Sequence, residues 1–165
     1  MAKSMEKGAI SEEPIEFILK DFPGTRYYPK FHLTTWHPMG IFDQALAEKV
    51  IEFVEWEEYI QDAPFDRYID LSGFTEIRTR PNHIVDIARR RRIVRQPVKS
   101  AFFADNPIGL ALAQVYERLM EGATMITVRA FINPDFAAEW LEVPVQILFP
   151  PTRTADARHL RADRE

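Results

Sequence analysis

The 165-residue chain contains no cysteine. This absence excludes disulfides, cysteine nucleophiles, thiolate zinc sites and iron–sulfur ligation, and it agrees with a reducing compartment. Long hydrophobic runs are absent too, since no segment approaches the roughly 18 apolar residues that a membrane-spanning helix needs. Residues 1–14 lack an apolar stretch resembling a signal peptide. We therefore expect a cytoplasmic protein without a membrane span.

The glycines and serines do not form any of the common motifs for nucleotide binding, phosphate binding or nucleophilic catalysis. The six glycines form neither a dinucleotide-binding fingerprint nor a phosphate-binding loop, and no G-x-S-x-G sequence occurs. The histidines show no recognised metal-ligand spacing; they are His32, His37, His83 and His159. No metal, cofactor or enzyme active site is predicted. The net charge of −4 argues against a general attraction to nucleic acid.

The pattern of apolar residues predicts alternating strands and helices. Strands are expected at 15–20, 27–36, 67–71, 98–104 and 124–131, with a turn at 22–25 between the first two. Helices are expected from 37–40 to about 62, at 81–92, at 107–120 and at 134–141. Asn106 is the expected N-cap of the third helix, and Pro107 its first residue. The fold class is therefore α/β, with a mixed sheet of about four to five strands and helices packed against it.

The length and composition suit one domain with short extensions. Residues 1–13 are polar and are expected to be flexible. Residues 14–143 form the predicted domain. In the extension at 144–165, the apolar stretch 143–149 is expected to dock on the domain or on a second copy, and the remainder to be disordered or an accessory arm.

Aromatic residues are abundant, with twelve phenylalanines, five tyrosines and three tryptophans. Phe102 and Phe103 follow each other in a predicted strand, so they point to opposite faces of the sheet. Core packing accounts for most of these rings. An apolar ligand pocket stays open as an alternative, because such pockets are lined by the same residues.

The sequence "ARRRRIVR" is the strongest charge run. Its arginines fall at the end of the second helix, where cations complement the helix dipole and the free carbonyls. The alternative is a contact with an anion or an acidic partner. The candidate contact residues are Arg78, Arg80, Arg89, Arg90, Arg91 and Arg92.

The segment "YIDLSGFTEIRTRP" reads as a strand, a turn and the approach to a helix. Ser72 is expected to satisfy backbone groups in the turn, with a nucleophilic role as the alternative. Thr79 is a candidate cap for the following helix, and Pro81 suits its first turn.

The order of elements from residue 15 to 141 resembles the STAS domain superfamily, specifically the SpoIIAA-like bacterial proteins. The resemblance is carried by "RYIDLSGFTEI", "HIVDIARRRRIV", "KSAFFADNPIGLALAQVYERLM" and "ITVRAFINPDFAAEWL". It implies a mixed sheet with packed helices. In related anti-sigma-factor antagonists a serine in an Asp-Ser-Ser/Thr-Gly stretch is phosphorylated; the matching residues here are Asp70, Leu71, Ser72 and Gly73. The phosphoacceptor position is Leu71, which has no hydroxyl, and Ser72 is a conceivable substitute.

These observations predict a non-enzymatic regulatory or interaction domain of the STAS/SpoIIAA-like type without an intact phosphoswitch. It would act through a protein partner or a homodimer contact. The alternative function is a module that binds a small apolar ligand or a lipid.

Overall fold

A computed structural model describes residues 15–16, 24–60 and 64–150 of the chain. Within these residues the strands are β1 (Ile15–Glu16), β2 (Arg26–Tyr28), β3 (Leu33–Trp36), β4 (Met39–Phe42), β5 (Asp66–Asp70), β6 (Gly73–Ile77), β7 (Val98–Phe103) and β8 (Ile126–Phe131). The helices are α1 (Gln44–Ile60), α2 (Pro81–Arg91), α3 (Pro107–Leu119) and α4 (Pro134–Leu141). Two 3-10 helices cover Pro29–Phe31 and Val145–Leu148.

The main sheet has the strand order β1-β2-β3-β5-β7-β8. The first three strands pair antiparallel, and β3, β5, β7 and β8 pair parallel. The α/β class with a mixed sheet and packed helices is therefore confirmed. Five strands of three to six residues make up most of this sheet, and the two-residue β1 extends its edge. The rest of the predicted first hairpin, residues 17–23, lies outside the described residues.

Two predicted elements have different bounds. The single strand expected at 27–36 is interrupted by the 3-10 helix Pro29–Phe31, because Pro29 cannot donate to a ladder. The first helix begins at Gln44 rather than within 37–40. Residues Met39–Phe42 instead form β4, which pairs in parallel with β6 in a separate two-stranded sheet. The Asp43 carboxylate accepts a bond from the Leu46 amide at 2.8 Å, so it caps α1.

The main sheet is covered on both faces. Tyr68 and Ala101 face α4 and the 3-10 helix Val145–Leu148, where Leu148 is only 1% exposed. Ile69 and Phe102 point to the opposite face and pack beneath α3. Helices α1 and α2 meet on that second face through Ile51 and Ile87. Neighbouring side chains of the central strands therefore enter two different cores, as the strand alternation requires.

The start of α3 is fixed by its cap and by close backbone contact. Asn106 precedes the helix, and its side-chain oxygen accepts a bond from the Gly109 amide at 2.9 Å. This confirms the predicted N-cap. A Cβ at Gly109 would lie 2.7 Å from the Leu71 carbonyl oxygen and 2.9 Å from the Ala104 Cβ. The helix therefore touches the end of β5 at a point where a larger residue does not fit.

Replacing Gly109 with alanine tests this contact. We expect Gly109→Ala to lower the free energy of unfolding by about 1–3 kcal/mol, because the new methyl group forces the backbone of residue 71 or 104 to move. In a helix with free space the same change would raise stability by about 0.5–1 kcal/mol. Urea denaturation therefore gives opposite signs for the two cases, and a stabilised variant would contradict the close contact.

Candidate functional site

The predicted switch segment forms a tight turn between β5 and β6. Leu71, at the position that matches the phosphoacceptor, is 3% exposed and belongs to the core cluster beneath α3. Its amide donates to the Phe103 carbonyl at 2.8 Å, and its carbonyl accepts from the Phe74 amide at 3.1 Å. Leu71 is thus a packing residue, held by bonds to two other strands.

Ser72 satisfies backbone groups in this turn. Its amide donates to Asp70 Oδ1 at 2.9 Å, and its hydroxyl oxygen accepts from the Asp105 amide at 3.0 Å. The Asn106 side chain donates to the Ser72 carbonyl at 2.6 Å. These bonds fasten the turn to the start of α3, so the turn and the helix cap form one unit. A Cβ on the next residue, Gly73, would overlap the Pro38 carbonyl oxygen.

Asp70 also contacts His37, which the sequence did not connect with this turn. His37 Nδ1 lies 3.2 Å from Asp70 Oδ2, and both side chains are largely buried. Burial pushes the pKa of Asp70 upward, but hydrogen bonds with His37 and Ser72 outweigh it, so the pKa is lowered overall. The pair places an ionised carboxylate at the carboxyl end of β5.

Thr79 does not cap α2. Arg80 occupies the N-cap position, and its side chain makes no capping bond. The Thr79 hydroxyl instead donates to the Phe42 carbonyl at 3.3 Å, next to the bond from the Arg78 amide to the same carbonyl. The Phe42 carbonyl at the end of β4 thus accepts two bonds from the segment that follows β6.

Most of the predicted arginine contacts are made within the chain. Arg90 bridges Glu48 and Glu55 on α1, and Arg92 donates to the Leu119 carbonyl at the end of α3. Three further arginines are exposed. Arg78 pairs with Glu76 and Arg89 with Asp86 at the surface, and Arg80 is exposed.

Arg91 differs from the solvated helix end that the sequence suggests. It is 3% exposed, and its Nη1 donates to Glu58 Oε2 at 2.9 Å. Glu58 of α1 also accepts from Arg67 Nη2 at 2.8 Å. One carboxylate thus serves two buried guanidinium groups. Their hydrogen bonds and charges lower the pKa of Glu58, although burial, the largest single effect, acts in the other direction.

A cavity of about 140 Å³ lies between the main sheet and the three helices α1, α2 and α3. Most of its lining is apolar. The aromatic and aliphatic lining includes Trp36, Phe42, Ala47, Val50, Ile51, Phe53, Val54, Ile69, Leu71, Phe74, Ile84, Ile87, Phe102, Leu112 and Ile126. The aromatic residues that the sequence assigned to the core therefore surround open space as well.

A polar row crosses the floor of this cavity. Thr34 of β3, Arg67 of β5 and Ser100 of β7 are register partners on adjacent parallel strands, so their side chains share one face of the sheet. All three are buried and line the cavity. The sheet thus contributes hydrogen-bonding groups, while the helices above contribute mainly apolar ones.

The helices also contribute Arg91 and Tyr116 to the lining, and a third polar helix residue there is Glu57. It is 3% exposed, lines the cavity, and neither carboxylate oxygen has a hydrogen-bond partner among the described residues. The closest basic group is Arg67 Nη2, 3.9 Å from Glu57 Oε1. Burial is the main cause that raises the pKa of Glu57 to about 7, and Glu58 adds to it, against the opposing charges of Arg67 and Arg91.

Glu57 is not among the residues predicted from the sequence, although a signal was present. Val50, Val54 and Glu57 are spaced by four and three residues, so Glu57 continues the apolar stripe of α1. Arg67 likewise occupies an inward position of a buried strand. A charged residue at a core position is a marker of a functional or paired site.

Neither a metal cluster nor a membrane-spanning helix is found in the part of the chain that the structure describes. No group of three acidic or histidine side chains there could hold a metal ion. No described helix is long and apolar enough to cross a bilayer. His32 packs on Phe65 and His83 lies 3.2 Å from Glu48, so these histidines have separate surroundings.

The raised pKa of Glu57 predicts a pH-dependent stability. Between the ordinary pKa of 4.5 and the folded value of about 7, the folded protein holds a proton that the unfolded chain has released. The free energy of unfolding therefore falls as pH rises from 5 to 8, by about 3 kcal/mol in total. Glu57→Gln should remove this decrease.

Urea denaturation at pH 5, 6, 7 and 8 measures the effect. Glu52→Gln, at an exposed position of the same helix, is the matched control and should keep the wild-type slope. The lowered pKa values of Glu58 and Asp70 make the free energy of unfolding rise with pH. They do so only below about pH 4.5, outside the range measured here. Parallel curves for wild type and Glu57→Gln would contradict a buried carboxyl group.

Comparison with known proteins adds no family assignment. No family model matches the chain, and no curated protein matches it. The function is therefore argued from the turn, the cavity and their geometry.

Proposed function

We propose that the protein is a non-enzymatic module that binds a small apolar molecule in the cavity between the main sheet and helices α1, α2 and α3. The observation that carries this proposal is the cavity itself, about 140 Å³ in a lining that is mostly apolar. Protein interiors are close-packed and hold few voids larger than a water molecule. An engineered apolar cavity of about 150 Å³ in another protein binds benzene. The ligand is therefore about the size of one aromatic ring.

We also propose that the protein is a member of the STAS/SpoIIAA-like proteins, as the resemblance of its sequence implies. The mixed sheet with helices on it supports the reading at the level of fold class. The burial of Leu71 supports a member without a phosphoswitch, since the matching position is a core residue. The bonds of Ser72 to Asp105 and Asn106 support a structural role for its hydroxyl and carbonyl.

Toluene is the probe for the cavity. In a titration followed by protein NMR, we expect saturable shifts of amides in α1, β5 and α3. Ala47→Leu should weaken toluene binding at least tenfold, because Ala47 is buried in the lining and the longer side chain fills the space. Ala45→Leu, at an exposed position of α1, should bind like wild type. Absence of saturable toluene binding to the wild-type protein would overturn the proposal.

A second candidate function is self-association, which fits the regulatory or interaction role implied by the resemblance. Apolar side chains are exposed near the carboxyl ends of the parallel strands: Ile132 is 71% exposed and Phe136 61%. The bond from the Ala104 amide to the Phe131 carbonyl joins the ends of β7 and β8 there. Exposed apolar surface of this kind marks protein contact sites, and we propose a second copy of the chain as the partner.

Sedimentation velocity across a range of protein concentrations tests self-association. We expect a concentration-dependent dimer for the wild-type protein and a monomer for the double variant Ile132→Ser with Phe136→Ser, since the change removes the apolar surface that a dimer would bury. Ile93→Ser is the matched control, because Ile93 is 85% exposed beyond the end of α2. A monomeric wild type at every concentration would contradict this candidate.

A further inference from the structure

Three polar groups at the floor of the cavity lack hydrogen-bond partners within the described ranges. They are the Thr34 hydroxyl, the Glu57 carboxylate and the Nε–H group of Arg67. All three residues are buried, and all three line the same cavity. Leaving a hydrogen bond of a buried group unmade has a free-energy cost. A ligand that pairs with these groups would remove that cost.

The three groups lie at one end of the cavity. Thr34 and Arg67 are direct register partners on β3 and β5. Glu57 approaches Arg67 from the helix side, with 3.9 Å between Glu57 Oε1 and Arg67 Nη2. Arg91 of α2 and Tyr116 of α3 also line the cavity, and both belong to this end, because Arg91 pairs with the carboxylate that binds Arg67 and Tyr116 interacts with Arg91. Other lining side chains of α2 and α3, such as Ile84, Ile87 and Leu112, are apolar. The cavity thus has one polar end and an apolar remainder.

The charges around the polar end limit the ligand. At pH 8, where Glu57 is ionised, Arg67 and Arg91 carry two positive charges and Glu58 and Glu57 carry two negative ones, so the cluster is neutral. A cationic or anionic ligand would leave an uncompensated charge in a buried site, which is costly. The head of the ligand is therefore uncharged.

The hydrogen-bonding pattern limits the ligand further. The Glu57 carboxylate accepts only, whereas Arg67 Nε–H donates only. The Thr34 hydroxyl can also donate. A hydroxyl group has one donor and two acceptor lone pairs, so one hydroxyl can pair with all three groups. An ether or a ketone cannot, because neither donates to a carboxylate.

We propose that the cavity binds an uncharged molecule of about one aromatic ring that carries a single hydroxyl group, and that Glu57, Arg67 and Thr34 bind this hydroxyl. This inference rests on the proposed function and adds the chemical class of the ligand. The ring fills the apolar part of the cavity, whose size matches that of benzene-binding cavities. The site is a binding site, and no covalent step is involved.

Phenol and toluene are the probes, because they have the same number of non-hydrogen atoms and differ only in hydroxyl against methyl. Binding to the full-length protein is measured by NMR titration at pH 8, where Glu57 is ionised and phenol, with a pKa near 10 like tyrosine, is neutral. We expect phenol to bind about tenfold more tightly than toluene. Benzoate and benzylammonium should bind at least tenfold more weakly than phenol.

Glu57→Leu should reverse the preference, so that toluene binds more tightly than phenol, because the acceptor for the hydroxyl is lost. Glu52→Leu, at an exposed position of the same helix, should keep the wild-type preference. If Glu57→Leu does not fold, the relative affinities of the wild-type protein for the four probes test the hydroxyl site without the variant.

The outcomes separate the two proposals. Equal binding of phenol and toluene to the wild-type protein overturns the hydroxyl site and leaves the apolar-ligand function standing. Tighter binding of benzoate or benzylammonium than of phenol overturns it as well. If neither toluene nor phenol binds, both proposals fall.

Discussion

The carboxylate of Glu58 holds three parts of the chain together. It belongs to α1, and it accepts hydrogen bonds from Arg67 of β5 and from Arg91 of α2. Charge-assisted bonds of this kind are about twice as strong as neutral ones, and removing one partner of a buried ion pair typically costs about 3–5 kcal/mol. Because Glu58 engages both guanidinium groups, the contact that its neighbour Glu57 makes with a basic group of the described residues is a long one, 3.9 Å to Arg67. The unpaired carboxylate in the cavity is thus a consequence of how the helices are fastened to the sheet.

The open space above the sheet has a related cause. The strands on either side of β5 present Thr34 and Ser100 at the level of Arg67, and both are small side chains. Side chains this small reach less far toward α1 and α3 than a leucine or phenylalanine would, so they fill less of the space between the sheet and the helices. Volume therefore remains between the helices and the polar row, with the surrounding aromatic rings as its walls. The small side chains of Thr34 and Ser100 thus contribute to the open volume.

Sequence patterns predict the elements that depend on local physics. The structure contains three features of this kind: the apolar periodicity of α2 and α3, the cap at Asn106, and the alternation of Phe102 and Phe103. Each of them depends on residues that are close together along the chain. Strands β4 and β6 were missed because each is short and is stabilised by a partner more than thirty residues away. The role of Glu57 was missed for a different reason. Its place on the apolar stripe marks Glu57 as buried, but only the packing of α1 shows that the adjacent Glu58 takes both arginines.

The polar row has a further effect on how the chain folds. Parallel strands buried on both faces are apolar at most positions, so hydrophobicity alone discriminates weakly between alternative alignments of such strands. A shift of β5 by one residue would turn the guanidinium of Arg67 toward α4 and the 3-10 helix Val145–Leu148. That side is filled by apolar residues such as Ala137, Leu141 and Leu148, and it would leave a charge buried without Glu58. The polar row of Thr34, Arg67 and Ser100 therefore disfavours misaligned strand registers during folding, independently of any ligand.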